Sequence, residues 1–190
     1  QGGGTRVFCA AIPDDPTVSP WPGIELVAEG KTVPNPHNKW SKSGAQAEEG
    51  LAIGDVDNDG QNEIVCGTWW YKWNGSSWDE HRFAPESYMT TKVAIGDIDG
   101  DGKNEIVLAE GDALCYGRQS GGQMAWFKPD GEVTAMWTEH RIAEGLRDAH
   151  SLQLEDLCGN GRLDIFVAEI GQPGADADHY ASPVPQVMLY

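Results

Sequence analysis

Long hydrophobic runs and basic residues are both scarce in this 190-residue sequence. The apolar stretches fall short of the ~18 consecutive residues that a membrane-spanning helix needs, so we expect no membrane span. Thirteen Lys and Arg stand against thirty Asp and Glu, which gives a formal net charge of −17. That charge repels phosphate backbones, so nucleic acid is a poor partner, and it favours cations where the acids cluster.

Cysteine is scarce as well. Four cysteines are too few for a disulfide-held scaffold, and their spacing matches no zinc site. One or two disulfides and four free thiols are both compatible with the sequence, which leaves open the state of Cys9, Cys66, Cys115 and Cys158.

What the sequence has instead is a repeat. Three segments align without gaps: DVDNDGQNEIVCG from Asp55, DIDGDGKNEIVLA from Asp97 and DLCGNGRLDIFVA from Asp156. The first two starts are 42 residues apart and the next two 59, with the extra length mostly in the insertion EGDALCYGRQSGGQ. Short apolar and aromatic runs follow each acidic loop, separated by Gly, Asn, Asp and Pro. Each unit therefore predicts four short strands joined by turns.

Four strands in about 42 residues is the size of one β-propeller blade, ~40–45 residues. We expect an all-β fold, a β-propeller of four-stranded blades of which three to four are visible. Residues 1–46 would hold the tail of a preceding blade and a connecting loop, 47–88 a blade, 89–147 a blade with the long insertion, and 148–190 an incomplete blade. Closed propellers have ~4–8 blades, so we expect that missing sequence or other chains complete the ring.

The acidic loops predict calcium sites. Carboxylates at positions 1, 3, 5 and 9 can converge on one hard cation, and the glycine at position 6 permits a tight turn around it. An EF-hand is excluded because its position 12 acid is here Cys66 or Leu108. The alternative is a solvated Asp-Gly turn without an ion. The predicted ligands are Asp55, Asp57, Asp59, Glu63 and the Gln61 carbonyl in the first loop, and Asp97, Asp99, Asp101, Glu105 and the Lys103 carbonyl in the second.

The third loop keeps Asp156, Asn160 and Asp164 but has Cys158 at position 3. We expect weak calcium binding there, or none. Two structural calcium ions are therefore predicted, with a third site in doubt.

The loops resemble those of FG-GAP or VCBS repeats, the calcium-loop blades of integrin α-subunit heads and of many secreted microbial proteins. The resemblance covers roughly residues 47–190 and rests on D-x-D-x-D-G-x-x-E between two apolar runs. It implies a secreted, extracellular protein, a seven-bladed propeller and structural calcium. It leaves function open, because such repeats occur in adhesion modules, in some polysaccharide lyases and in a sugar dehydratase.

Residues that recur in every unit are expected to build the blades, whereas residues found in one copy are free to serve function. His81 and His140, in matching W-x-E-H-R segments, are thus predicted to pack within blades. The unique residues gather at the starts of the innermost strands and the ends of the second strands, opposite the acidic loops. The predicted ligand-binding residues there are Glu49, Glu110, Asp112, Tyr116, Arg118, Asp148, Glu169 and His179.

Two functions follow from this distribution. The first is a binding module for a carbohydrate or protein on the face opposite the calcium loops. The second is part of a polysaccharide lyase or sugar dehydratase, in which His150 abstracts a proton while Lys92 or Arg147 neutralises a carboxylate. His150 could instead be a metal ligand, or a rim histidine bonded to a nearby carboxylate.

Overall fold

The computed structural model describes residues 5–34, 45–47, 49–114, 116–170, 172–173, 180–181 and 187–190. The regular secondary structure in these ranges consists of β-strands alone. The first sheet contains β1 (Thr5–Ala10), β2 (Ile24–Pro34) and β3 (Ala45–Ala47). The described ranges contain no helix long and apolar enough to cross a bilayer.

Two four-stranded antiparallel sheets follow, each with its strands in chain order. The first contains β4 (Leu51–Gly54), β5 (Glu63–Cys66), β6 (Trp69–Trp73) and β7 (Trp78–Arg82). The second contains β8 (Thr91–Gly96), β9 (Glu105–Glu110), β10 (Gly122–Lys128) and β11 (Thr138–Leu146). These sheets are called the first and second blades below.

The third acidic loop lies in a sheet that pairs in the order β12–β13–β16, called the third blade. Its strands are β12 (Ala149–Glu155), β13 (Asp164–Glu169) and β16 (Val187–Leu189), and a separate pair consists of β14 (Gln172–Pro173) and β15 (Tyr180–Ala181). The predicted all-β fold with four-stranded blades is confirmed. A closed seven-bladed ring stays a prediction.

The blades lie side by side through their first strands, with β8 in contact with both β4 and β12. Between the first two blades, aromatic side chains form the core. Phe83 meets Phe127 edge to face at 5.6 Å and Trp137 at 5.6 Å between ring centroids. The backbone amide of Trp137 donates to the Phe83 carbonyl at 2.9 Å. Buried Val93 belongs to the same cluster. Burial of large aromatic surfaces therefore joins one blade to the next.

The glycine that ends each of the first two inner strands, in the repeated IGD motif, marks a close approach between blades. A Cβ atom at Gly54 would lie 3.1 Å from a methyl group of Ile95. One at Gly96 would lie 2.7 Å from Leu163 and 3.1 Å from Leu154. Glycine at these positions leaves room for the side chains of the next blade.

Two details of the sequence interpretation can be compared directly with the packing. His81 lies against Trp70 at 4.4 Å between ring centroids, and the exposed His140 stacks on Trp126 at 4.1 Å, so each histidine contacts a tryptophan of its own blade. Strand β1 was not anticipated by the repeat. It pairs with β2, and Val7 contributes to a core shared with the first blade.

Candidate functional site

Each acidic loop connects the first strand of a blade to its second strand. The first aspartate of each loop accepts backbone hydrogen bonds from within its own loop. Asp55 accepts from the amides of Asp59 (3.0 Å) and Gly60 (2.9 Å). Asp97 makes the matching bonds in the second loop, and Asp156 does so in the third. The position 6 glycines have positive φ, 89° at Gly60 and 85° at Gly102, as the predicted tight turn requires.

In each of the first two loops, the glutamate at position 9 bonds back to the backbone near the start of the loop. Glu63 and Glu105 are buried, and each accepts a backbone amide through Oε2, from Val56 at 2.8 Å and from Ile98 at 2.9 Å. Burial raises the pKa of both carboxyls above the ordinary value. The protein thus holds each carboxylate in place by one oxygen and leaves the second directed into the loop.

Carboxylate oxygens from different acids of the same loop lie close together. Carboxylate oxygens of Asp55, Asp57 and Glu63 lie within 4.8 Å of one another, as do those of Asp97, Asp99 and Asp101. Among the described residues, Oδ1 of Asp57 and Oε1 of Glu105 are buried and accept no hydrogen bond. Buried oxygens without a donor are costly, and hard oxygen ligands at this spacing suit a divalent cation such as calcium. The residues present therefore fit the predicted metal.

In each of the first two blades, a lysine from the third strand reaches into the acidic loop of that blade. The Lys72 ammonium bonds to Asp57 and to Asp59 (2.6 Å) and lies 3.8 Å from Glu63. The Lys128 ammonium lies 2.6 Å from both Asp99 and Asp101. Sequence reasoning missed both lysines, although they stand at matching positions in the aromatic runs TWWYKW and MAWFKP.

The ionisation of these groups reflects the pairing. Burial opposes the charge of Lys72, yet the bonds to Asp57 and Asp59 raise its pKa above the ordinary value. The bonds that the Lys128 ammonium donates to Asp101 and Asp99 likewise raise the pKa of Lys128. In return, the lysines lower the pKa of Asp59 and Asp101.

The third loop keeps the bond from its position 2 amide to its position 9 acid but, within the described residues, has no cluster of three acids. Asp164 uses Oδ2 to accept the amides of Leu157 (3.1 Å) and Cys158 (3.3 Å). The clusters of three acids in the described ranges are those of the first and second loops. Among the described residues, Cys9, Cys66 and Cys158 form no disulfide, and Cys115 lies outside the described residues.

An asparagine joins the first loop to the second. The Asn104 side chain donates to the Asp55 carbonyl at 2.8 Å, and its backbone amide donates to Asn58 Oδ1 at 2.9 Å. In the third blade the matching residue is Leu163, whose side chain instead approaches Gly96. The first two loops are therefore coupled by hydrogen bonds and the third meets its neighbour through an apolar contact.

The predicted ligand face lies at the other end of the same strands. Strand β8 has six residues, so Lys92 near its start is separated from the second loop by roughly 15–20 Å at ~3.3 Å per residue. Lys92 lies 3.5 Å from Glu49 of the first blade. His150 Nε2 lies 2.8 Å from Asp112 Oδ1. A Cβ atom at Gly111, the residue before Asp112, would lie 3.3 Å from the Lys92 ammonium. The Glu49–Lys92 pair therefore lies next to the Asp112–His150 pair.

His150 owes its position to a β-bulge. In the pairing of β12 with β13, Ala149 is opposite Glu169 and Ser151 is opposite Ala168, so His150 is the extra residue. The ungapped alignment of the repeats hides this insertion, because it pairs His150 with Thr91, whereas in the structure Thr91 is opposite Glu110 as Ala149 is opposite Glu169. Bulges redirect side chains and are common near functional sites.

Three predicted ligand-binding acids are buried and bind the protein itself. Glu110 accepts the amides of Met89 (3.2 Å) and Gln123 (2.9 Å) and pairs with the Arg118 guanidinium. Burial raises the pKa of Glu110 even though Arg118 opposes that effect.

The other two buried acids bind backbone amides. Asp148 accepts the amide of Leu114 at 2.8 Å, and Glu169 accepts that of Arg147 at 2.6 Å. These acids, together with Glu110, hold the insertion and the strand starts in place beneath the surface.

The other predicted residues are more exposed or lie outside the description. Tyr116 is half-buried, and its amide donates to the Asp112 carbonyl at 3.0 Å. The Arg147 side chain is half-buried at the start of β12. His179 lies outside the described residues. The residues that the structure brings together on this face are therefore Glu49, Lys92, Asp112 and His150.

Comparison with known proteins adds one finding. Residues 55–108 match the family model of the FG-GAP-like repeat. The matched segment begins at the first acidic loop, includes the second and ends within β9. No curated protein sequence matches the chain. The repeat match and the four-stranded sheets together indicate a β-propeller-type binding module.

Proposed function

We propose that this chain is a segment of a secreted, calcium-stabilised β-propeller that binds a carbohydrate or protein ligand on the face opposite its acidic loops. The ring would be completed by further sequence or by other chains. The observation that carries the ligand site is the meeting of two side-chain pairs, Glu49 with Lys92 and Asp112 with His150, contributed by three blades. Loops and strand ends on a rigid scaffold are where binding residues usually lie.

The Glu49–Lys92 and Asp112–His150 pairs suit a polar ligand. The His150 side chain is 32% exposed and that of Lys92 22%, so both reach solvent. Their partners Asp112 and Glu49 orient them before a ligand arrives, which reduces the entropy lost on binding. Alternating acids and bases can donate to and accept from hydroxyl groups, and Lys92 can pair with a carboxylate.

Binding to a panel of neutral and uronic acid polysaccharides, measured by calorimetry, tests this site. We expect Lys92→Met and His150→Ala to weaken binding of any polysaccharide that the wild type binds. Arg141→Met removes one charge from the outer strand β11 and should leave binding unchanged. Equal binding by wild type and both face variants would place the ligand elsewhere.

The acidic loops support a structural calcium role. Calcium would be held by the aspartates of each loop and by Glu63 or Glu105, and it would supply the charge that the buried oxygens of Asp57 and Glu105 require. A ligand bound only to the native state stabilises it, by about 2.7 kcal/mol at 100 times its Kd. We expect EDTA to lower the melting temperature and calcium to restore it. An unchanged melting temperature would contradict structural calcium.

One observation favours a second function, β-elimination on an acidic polysaccharide. If His150 donates from Nε2 to Asp112, its Nδ1 becomes the basic nitrogen, which is the arrangement of an oriented general base. Lys92, which lies beside Gly111, would neutralise a sugar carboxylate while His150 removes the adjacent proton. Ultraviolet absorbance of unsaturated products would reveal this reaction, and His150→Ala should abolish it. Absence of product with every acidic polysaccharide tested would leave the binding module alone.

A further inference from the structure

Lys72 and Lys128 reach into the acidic loops from other strands and have no place in the predicted calcium sites, yet they lie where a cation is needed. In the first loop the Lys72 ammonium contacts Asp57 and Asp59 and lies 3.8 Å from the buried Glu63. In the second loop the Lys128 ammonium contacts Asp99 and Asp101 and lies 3.6 Å from the buried Glu105. Both blades thus place a positive charge against the same three loop positions.

The geometry leaves little room for an ammonium and a calcium ion together. Calcium needs its oxygen ligands at about 2.3–2.6 Å. The 2.6 Å contacts of the ammonium groups are made with the same carboxylates, so a metal ion binding there has to displace them. An ammonium donates only three hydrogen bonds, whereas a calcium ion takes six to eight oxygens. The unbonded Oε1 of Glu105 shows that the lysine satisfies the second loop incompletely.

The lysines also do not belong to the loops in sequence. Lys72 is in β6 and Lys128 is in β10, the third strands of their blades. Each side chain reaches the acidic loop of its own blade from a strand that does not flank that loop. The same residue at the same register in two blades indicates a shared role rather than an isolated surface pair. Neither blade needs a lysine there for strand formation, since other polar residues suit a strand surface as well.

We propose that Lys72 and Lys128 are internal counter-ions of the two acidic loops, which hold the loops folded without metal and compete with calcium for the same carboxylates. The proposal rests on calcium binding by these loops. The lysines would lower calcium affinity and set the concentration at which the metal takes over. The fold would then survive low calcium, and the metal-bound state would free the lysine side chains toward solvent.

Calcium titration of metal-free protein, followed by calorimetry, tests this on Lys72→Met, Lys128→Met and the double variant. Methionine keeps the length of the side chain and removes the charge. Loss of a charge-assisted hydrogen-bonding competitor should tighten calcium binding roughly ten-fold at the altered loop. The single variants should tighten one site each. In EDTA, every variant should melt below the wild type, because its carboxylates have lost their counter-ion.

Arg141→Met is the matched control, because it removes one equally charged, ion-paired side chain away from the loops. It should leave calcium affinity unchanged, which separates competition inside the loop from the change in net charge. Circular dichroism in excess calcium checks that each variant is folded. If the double variant does not fold, either single variant is sufficient for the test.

The outcomes separate this proposal from the calcium proposal itself. Tighter calcium binding by the lysine variants supports competition. This includes the result that the variants bind calcium at concentrations where the wild type binds none. Calcium binding by the wild type with equal or weaker affinity in the variants overturns the role of the lysines alone. Absence of calcium binding in every protein overturns both.

Discussion

Arg118→Met should destabilise the protein more than any exposed substitution, because it leaves a buried carboxylate without its cation. Glu110 is fully buried, and among the described residues Arg118 is the basic side chain paired with it. The other partners of Glu110 are backbone amides of Met89 and Gln123, which methionine at 118 does not remove. The substitution therefore removes the cation beside Glu110, together with the bond that Arg118 donates to the Ser87 carbonyl at 2.8 Å.

The cost has an upper limit that can be worked out. Breaking a buried ion pair by removing one partner costs about 3–5 kcal/mol. Glu110 can avoid part of that penalty by taking up a proton, which at pH 7 costs about 3.7 kcal/mol for a carboxyl whose ordinary pKa is roughly 4.3, at about 1.36 kcal/mol per pH unit. Protonation becomes the cheaper route when the penalty exceeds this value. We therefore expect a loss of about 3–4 kcal/mol at pH 7.

The pH dependence identifies the cause. Burial already raises the pKa of Glu110, and removal of Arg118 raises it further. A carboxyl whose folded pKa is raised stabilises the fold below its unfolded pKa, and that stability is lost as the pH rises through the folded value. The deficit of Arg118→Met should thus shrink by about 1.4 kcal/mol per unit as the pH falls from 7 towards 5.

Urea unfolding at pH 5, 6 and 7, in saturating calcium, measures this deficit against the wild type. The double variant Glu110→Met with Arg118→Met is the control. It replaces the pair by apolar side chains, so it should lose less than the single variant and show no such pH dependence. A deficit below about 1 kcal/mol, or one independent of pH, would refute the idea that Arg118 neutralises a buried charge.

Two further predictions concern contacts between blades and under the ligand face. Asn104→Ala should cost about 1 kcal/mol in urea unfolding, since it removes the side-chain bond to the first loop, whereas the exposed Asn62→Ala at the matching position should cost less than about 0.5 kcal/mol. Equal effects would mean that the Asn104 side chain does not stabilise the contact between the loops. Gly111→Ala should cost about 1–3 kcal/mol, because its Cβ would lie 2.5 Å from the backbone oxygen of Thr90, whereas Gly131→Ala meets no atom within 4 Å and should be neutral. A neutral Gly111→Ala would show that the insertion can shift freely.

The repeat made most of the fold predictable. Strand–loop–strand units with fixed spacing specify short antiparallel strands, and the acids at positions 1, 3, 5 and 9 specify a turn that folds around its own first aspartate. Those are local relations within about ten residues of the chain, so they can be read without knowing the tertiary structure. Strand β1 escaped prediction because Thr5–Ala10 precedes the three aligned segments, the first of which starts at Asp55.

The candidate ligand site was predictable only in part. The sequence singled out His150 and Asp112 separately, but their contact depends on a bulge and on an insertion that crosses between blades. Glu110 was predicted to face a ligand, whereas folding buries it against Arg118. Exposure of a strand-end residue depends on what the next blade and the insertion place over it, and an ungapped alignment contains no such information.

By itself, then, the sequence determined the elements, their repeat and the acidic loops, because each of these is encoded by neighbouring residues. Only the tertiary structure decided which charges meet. It brought Lys72 and Lys128 from the third strands into the loops, coupled the first loop to the second through Asn104, and placed His150 beside Asp112. Those contacts join residues 13 to 49 positions apart along the chain, and the register and packing of the blades set their distances.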